Sequence, residues 1–120
     1  MDKERQAKYI EHLQRMIRIE TVSDPDCGSS EENFAEFREL LWELFPALKE
    51  VCELRELDGA LLLKWKGSDP TRMPVLFMNH YDVVPAREED WKYPPFAAEI
   101  ADGKIWGRGT LDDKGCIIGA

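Results

Sequence analysis

The apolar residues of this chain change period near residue 50, and that switch narrows the available folds more than any other feature. In "DKERQAKYIEHLQRMIRIE" they fall at Tyr9, Ile10, Leu13, Met16 and Ile17, with Ile19 just beyond, the stripe of an amphipathic helix. The polar stretch "TVSDPDCGSS" interrupts it, because Pro25 and Gly28 stop helix propagation. A second helix restarts in "SSEENFAEFRELLWELFPALKE". Ser29 or Ser30 caps it, Glu31 to Asn33 complement its dipole, and Phe34, Phe37, Leu41, Leu44 and Phe45 form its buried stripe. Pro46 kinks or ends it. Beyond residue 50 the pattern is that of strands. "VCELREL" and "GALLLKWKG" make a hairpin turning at Asp58 and Gly59, and "EIADGKIWG" makes another at Asp102 and Gly103. Between the hairpins, after a loop at "SDPTRMP", "VLFMNH" reads as a central strand buried on both faces. "LDDKGCIIGA" opens a further helix. Helices, strands and a new helix predict an α/β sandwich around a mixed central sheet.

At 120 residues the chain has room for one domain. Its net charge of −8 argues against a nucleic-acid or anionic-membrane surface, since counterion release needs clustered Lys and Arg. Cys27, Cys52 and Cys116 are odd in number and far apart, which suits a reducing compartment better than a disulfide framework. The first 20 residues lack the apolar core of a signal peptide, and no run approaches the roughly 18 apolar residues of a spanning helix. The expectation is a cytoplasmic protein.

The chemistry concentrates in two short strings. In "NHYDVVP", His80 and Asp82 share one face of a strand, about 7 Å apart at Cα. An imidazole beside a carboxylate suits a metal ligand whose second ring nitrogen is held by its neighbour, which fixes the tautomer. Alone, such a pair is more often a strand end meeting solvent. In "GRGTLDDKG", Gly107 and Gly109 allow a tight turn, and Asp112 and Asp113 sit at a helix start, where capping is their ordinary role. Arg108 and Lys114 are expected to pair with nearby surface carboxylates, and His12 to lie on the exposed face of the first helix. Together the strings supply an imidazole and carboxylates at a sheet end. That donor set suits zinc, with manganese or cobalt as alternatives.

The combined string "NHYDVVP…WKYPPFAAEIADGKIWGRGTLDDKG" closely resembles the co-catalytic zinc metallopeptidase family of glutamate carboxypeptidase, aminoacylase, acetylornithine deacetylase and succinyl-diaminopimelate desuccinylase, most of all its carboxypeptidase and dipeptidase members. The resemblance is strong from residue 75 onward and looser before it. It implies a zinc-exopeptidase-like α/β sandwich, incomplete in this chain, with His80 on the first zinc. Asp112 would bridge two zincs, a cis peptide would follow it, and Asp82 would be an active-site residue orienting His80. Trp91 and Pro94 to Phe96 would shape loops. The implied reaction is zinc-assisted hydrolysis of a peptide or N-acyl-amino-acid amide bond. The resemblance places the general-base glutamate, further ligands and a smaller dimerisation domain beyond Ala120. Residues 1–120 are therefore expected to be the amino-terminal part of a catalytic domain, inactive alone, in a protein that dimerises through the missing domain. A non-catalytic metal-binding or interaction module on the same scaffold is the alternative.

Overall fold

The computed structural model describes residues 2–26 and 28–120. Cys27 lies outside the described residues, and Cys52 and Cys116 are free thiols. Helix α1 (Lys3–Arg18) begins where the Asp2 carboxylate accepts the Arg5 N–H at 2.7 Å and ends where Ile19 turns extended. Helix α2 (Glu31–Leu44) begins at Ser30, whose hydroxyl accepts the Asn33 N–H. It stops before Pro46, which opens a short helix α3 (Ala47–Val51) instead of continuing the same axis. The facing stripes of the two long helices bury Met16 and Ile19 against Phe37, Leu40, Leu41 and Leu44, and this cluster is the core.

The strands form three antiparallel pairs: β1 (Ser23–Asp24) with β2 (Gly28–Ser29), β3 (Cys52–Leu57) with β4 (Ala60–Trp65), and β5 (Glu99–Ala101) with β6 (Lys104–Trp106). Both longer hairpins turn at Asp-Gly with φ positive at each residue, 48° and 84° at Asp58 and Gly59, 54° and 71° at Asp102 and Gly103. That is the turn whose twist matches paired strands, and Asp-Gly adopts it at low cost. A parallel bridge, Val22 to Val83, joins the segment after α1 to the segment carrying His80. The last helix, α4 (Lys114–Gly119), packs against α1.

One expectation about the sheet is not met. "VLFMNH" takes no strand pairing among the described residues, and Met73, Val75, Leu76, Phe77 and Met78 are exposed. The remaining strand pairs are local hairpins, whose partners adjoin in sequence; a central strand needs partners from elsewhere.

Candidate metal centre

Three backbone hydrogen-bonding groups place the segment 81–83. The Ser23 N–H donates to Val83 O at 2.9 Å, the Val83 N–H donates to Thr21 O at 2.9 Å, and the buried Thr21 hydroxyl donates to Tyr81 O. Alternation along the segment then divides its side chains. Tyr81 turns inward: its ring stacks on Phe37 at 5.0 Å between centroids and 8° between planes, and its hydroxyl donates to Gly59 O in the β3–β4 turn. His80 and Asp82 turn outward and meet, with His80 Nδ1 3.1 Å from both Asp82 Oδ1 and Asp82 O.

The other ring nitrogen, Nε2, lies 2.8 Å from Asp112 Oδ1, 32 residues later. The Asp112–Asp113 peptide is cis, as the resemblance implies. Asp113 stands at the N-cap position of α4 without capping it; its Oδ2 accepts the His80 backbone N–H at 3.1 Å. Gly109 makes the approach to this turn feasible. Its φ is +91°, and a Cβ there would stand 2.9 Å from Val83 Cγ1 and 3.3 Å from Lys114 Cδ.

Electrostatics agree with the contacts. Partial burial alone would lower the His80 pKa, but the Asp112 hydrogen bond, with the Asp82 carbonyl and both carboxylate charges, outweighs it and raises the pKa. Both ring nitrogens face carboxylate oxygens, so the protonated ring donates on either side, from Nδ1 to Asp82 and from Nε2 to Asp112. The Asp113 carboxyl is held below its ordinary range by the Cys116 thiol and the His80 N–H.

The structure thus brings His80, Asp82 and Asp112 together. Asp82 lies on the Nδ1 side, so only His80 Nε2 and Asp112 converge on one point. Among the described residues no group of three or more His, Cys, Asp or Glu side chains is arranged to hold a metal ion. An imidazole and a carboxylate are the donor types a borderline divalent cation takes. Here they bond each other at 2.8 Å, and a cation between them would have to replace that bond, with Asp82 on the Nδ1 side to orient the ring.

Three expectations are corrected. Lys114 is fully buried, with Nζ donating to Met16 O at 3.0 Å and Ile19 O at 2.7 Å, and desolvation lowers its pKa to about 8 against the opposing charge of Glu20. Arg108 stacks over the Trp91 ring, 5.2 Å from its centroid, and meets no carboxylate among the described residues. His12 is buried, edge-on to Phe45 at 5.4 Å. Its spacing four residues before Met16 already put it on the inward stripe. No local signal marks Lys114, since its acceptors are backbone carbonyls far away in sequence.

An α/β scaffold that presents a histidine–aspartate pair against an aspartate at a cis peptide is that of the zinc-exopeptidase-like class. Residues 76–120 match the model of peptidase family M20/M25/M40. A curated relative from Xenopus tropicalis, N-fatty-acyl-amino acid synthase/hydrolase PM20D1, is 41% identical over 98% of this chain and 23% of its own length. Probable carboxypeptidase S-like 2 of Dictyostelium discoideum is 38% identical over 91% of this chain and 22% of its own. The crystal structure of human carnosine dipeptidase 1 superposes with a TM-score of 0.64 at 27% identity, covering 94% of this chain and 26% of that one. The chain belongs to peptidase family M20/M25/M40. It spans about a quarter of the length of the relatives it matches.

Proposed function

We propose that these 120 residues are the amino-terminal part of the catalytic domain of a zinc-dependent hydrolase acting on peptide or N-acyl-amino-acid amide bonds. The observation that carries this reading is the 2.8 Å approach of His80 Nε2 to Asp112, with Nδ1 held by Asp82. The substrate class follows the relatives, whose names include a fatty-acyl-amino acid hydrolase, a carboxypeptidase and a dipeptidase. His80 Nε2 and Asp112 would hold zinc, Asp112 shared between two ions. Bound there, zinc would acidify a water and polarise the scissile carbonyl. Asp82 keeps the proton on Nδ1, so the imidazole presents its lone pair from Nε2. The general-base glutamate, the remaining ligands and a dimerising domain belong to residues outside these 120. Cytoplasmic residence is part of the same proposal.

That two donors converge, and no third among the described residues, favours a second reading, a non-catalytic metal-binding or interaction module. Zinc competition against a chelator tests the first. Asp112→Ala and His80→Ala are each expected to weaken zinc binding about 10- to 100-fold relative to wild type. Identical affinities would remove both residues from the site. The chain by itself is expected to hydrolyse no amide substrate, and robust zinc-dependent turnover by it would overturn the assignment of the missing groups. A coding sequence beyond residue 120 that contains a Glu-Glu pair supports the enzyme over the module.

A further inference from the structure

Lys114 stands out among the described residues as a charged side chain with no solvent exposure. A buried ammonium is costly unless its donors are met, and here the acceptors are the Met16 and Ile19 carbonyls, at 3.0 and 2.7 Å. Met16 lies in the last turn of α1 and Ile19 at its C-cap, where the Ile19 carbonyl also accepts the Thr21 N–H at 3.0 Å and the negative end of the helix dipole favours a cation. The ammonium also lies 5.0 Å from the centroid of Phe37, the ring on which Tyr81 stacks. Its stem runs past Gly109, where a side chain would crowd it.

The neighbours of this anchor carry the chemistry. Immediately before Lys114, Asp113 accepts the His80 N–H, and Asp112 reaches His80 Nε2. Two residues after Ile19, Thr21 holds the Tyr81 carbonyl. The single stretch from Met16 to Thr21 therefore grips both halves of the candidate centre, one through Lys114 and the other through Tyr81. We infer that Lys114 is a positioning residue that holds Asp112 against His80 by fastening the aspartate turn to the C-terminus of α1. The inference rests on the reading of His80 and Asp112 as the metal-facing pair, and it assigns Lys114 no contact with substrate or metal.

The test is amide hydrogen exchange by NMR in the metal-free chain, read at His80, whose N–H reports the docking of Asp113. The variants are Lys114→Met, which keeps the packing and removes the donors, and Leu44→Ala, a core truncation on α2 away from the turn. An amide that exchanges through a local opening follows the local contact and not the global stability. Lys114→Met is expected to speed His80 exchange about tenfold and to shift its amide resonance, while Leu44→Ala lowers Tm and leaves both unchanged. Should Lys114→Met fail to fold by circular dichroism, Lys114→Gln, which keeps an N–H donor but no charge, is measured in its place with the same expectation. Wild-type exchange in the lysine variant, or an equal change in Leu44→Ala, overturns the inference. Zinc competition separates this from the functional reading. A wild-type chain that takes up no zinc sinks the metal site and leaves the exchange result to decide on Lys114. If wild type binds, an about tenfold weaker affinity is expected in the lysine variant, and unchanged affinity counts against its positioning role.

Discussion

His12 shows how one buried ring shapes the response of the molecule to acid. Its imidazole packs edge-on to Phe45 and Tyr9, and Nδ1 has no hydrogen-bond partner among the described residues. Desolvation, reinforced by Lys8 and Arg15 against Glu11, lowers its pKa below the ordinary 6.5. The unfolded chain therefore takes up this proton first as pH falls. The stabilising contribution of the neutral ring is complete above about 6.5 and is lost as pH drops through the window below it. His12→Phe keeps the aromatic contact and removes the proton, so its Tm is expected to vary less than wild type between about pH 7 and pH 5; parallel curves would refute the assignment. Gly109 makes a sharper demand. With φ at +91° and Val83 Cγ1 in the way, Gly109→Ala is expected to cost about 2–4 kcal/mol in urea denaturation. A cost under about 0.5 kcal/mol would mean that the turn relaxes freely.

Among the elements, α2 acts as a hub through Arg38. Its guanidinium pairs with Glu31 on its own helix at 2.7 Å and with Glu56 of β3 at 3.2 Å, and the Tyr81 hydroxyl completes the tie by bonding Gly59 in the hairpin turn. The hairpin is otherwise largely exposed, so these contacts, together with Leu61 packed on the core, hold it to the body. Arg38→Ala is expected to speed amide exchange across Cys52–Trp65 while leaving the α2 amides near wild type, a local loss of about 1.5–3 kcal/mol. Exchange that rises equally in both would show that α2 itself has opened. The helices and hairpins were legible in the sequence because their determinants are local: the apolar period, Ser30 at a cap, Asp-Gly at each turn. So was the pairing of His80 with Asp82, which needs only a two-residue spacing. "VLFMNH" read as a buried strand because its own composition is apolar, yet burial depends on partners that composition does not name. Lys114, beside two aspartates, read as a surface cation for the same reason: carbonyl acceptors on α1 leave no trace in side-chain identity.

Across these 120 residues taken together, the exposed run from Met73 to Met78 is the feature that bears on association between copies. Phe77 is 71% exposed and Met78 86%, and nothing among the described residues pairs with their backbone. An unpaired apolar segment invites association between copies, and the net charge of −8 opposes it. Raising salt from about 0.01 M to 1 M shortens the Debye length from roughly 30 to 3 Å, so light scattering is expected to show growing association along that series. Phe77→Lys is expected to suppress it, and a monodisperse wild type throughout would show that the segment is inert. The Lys114 anchor also has a temporal side. It joins residues 95 and 98 positions apart, so the α1 carbonyls it serves are made long before their partner. At a synthesis rate of about 5–20 residues per second, the end of α1 waits roughly 5–20 seconds for the ammonium that closes it. The first helix of this chain is among the last to be finished.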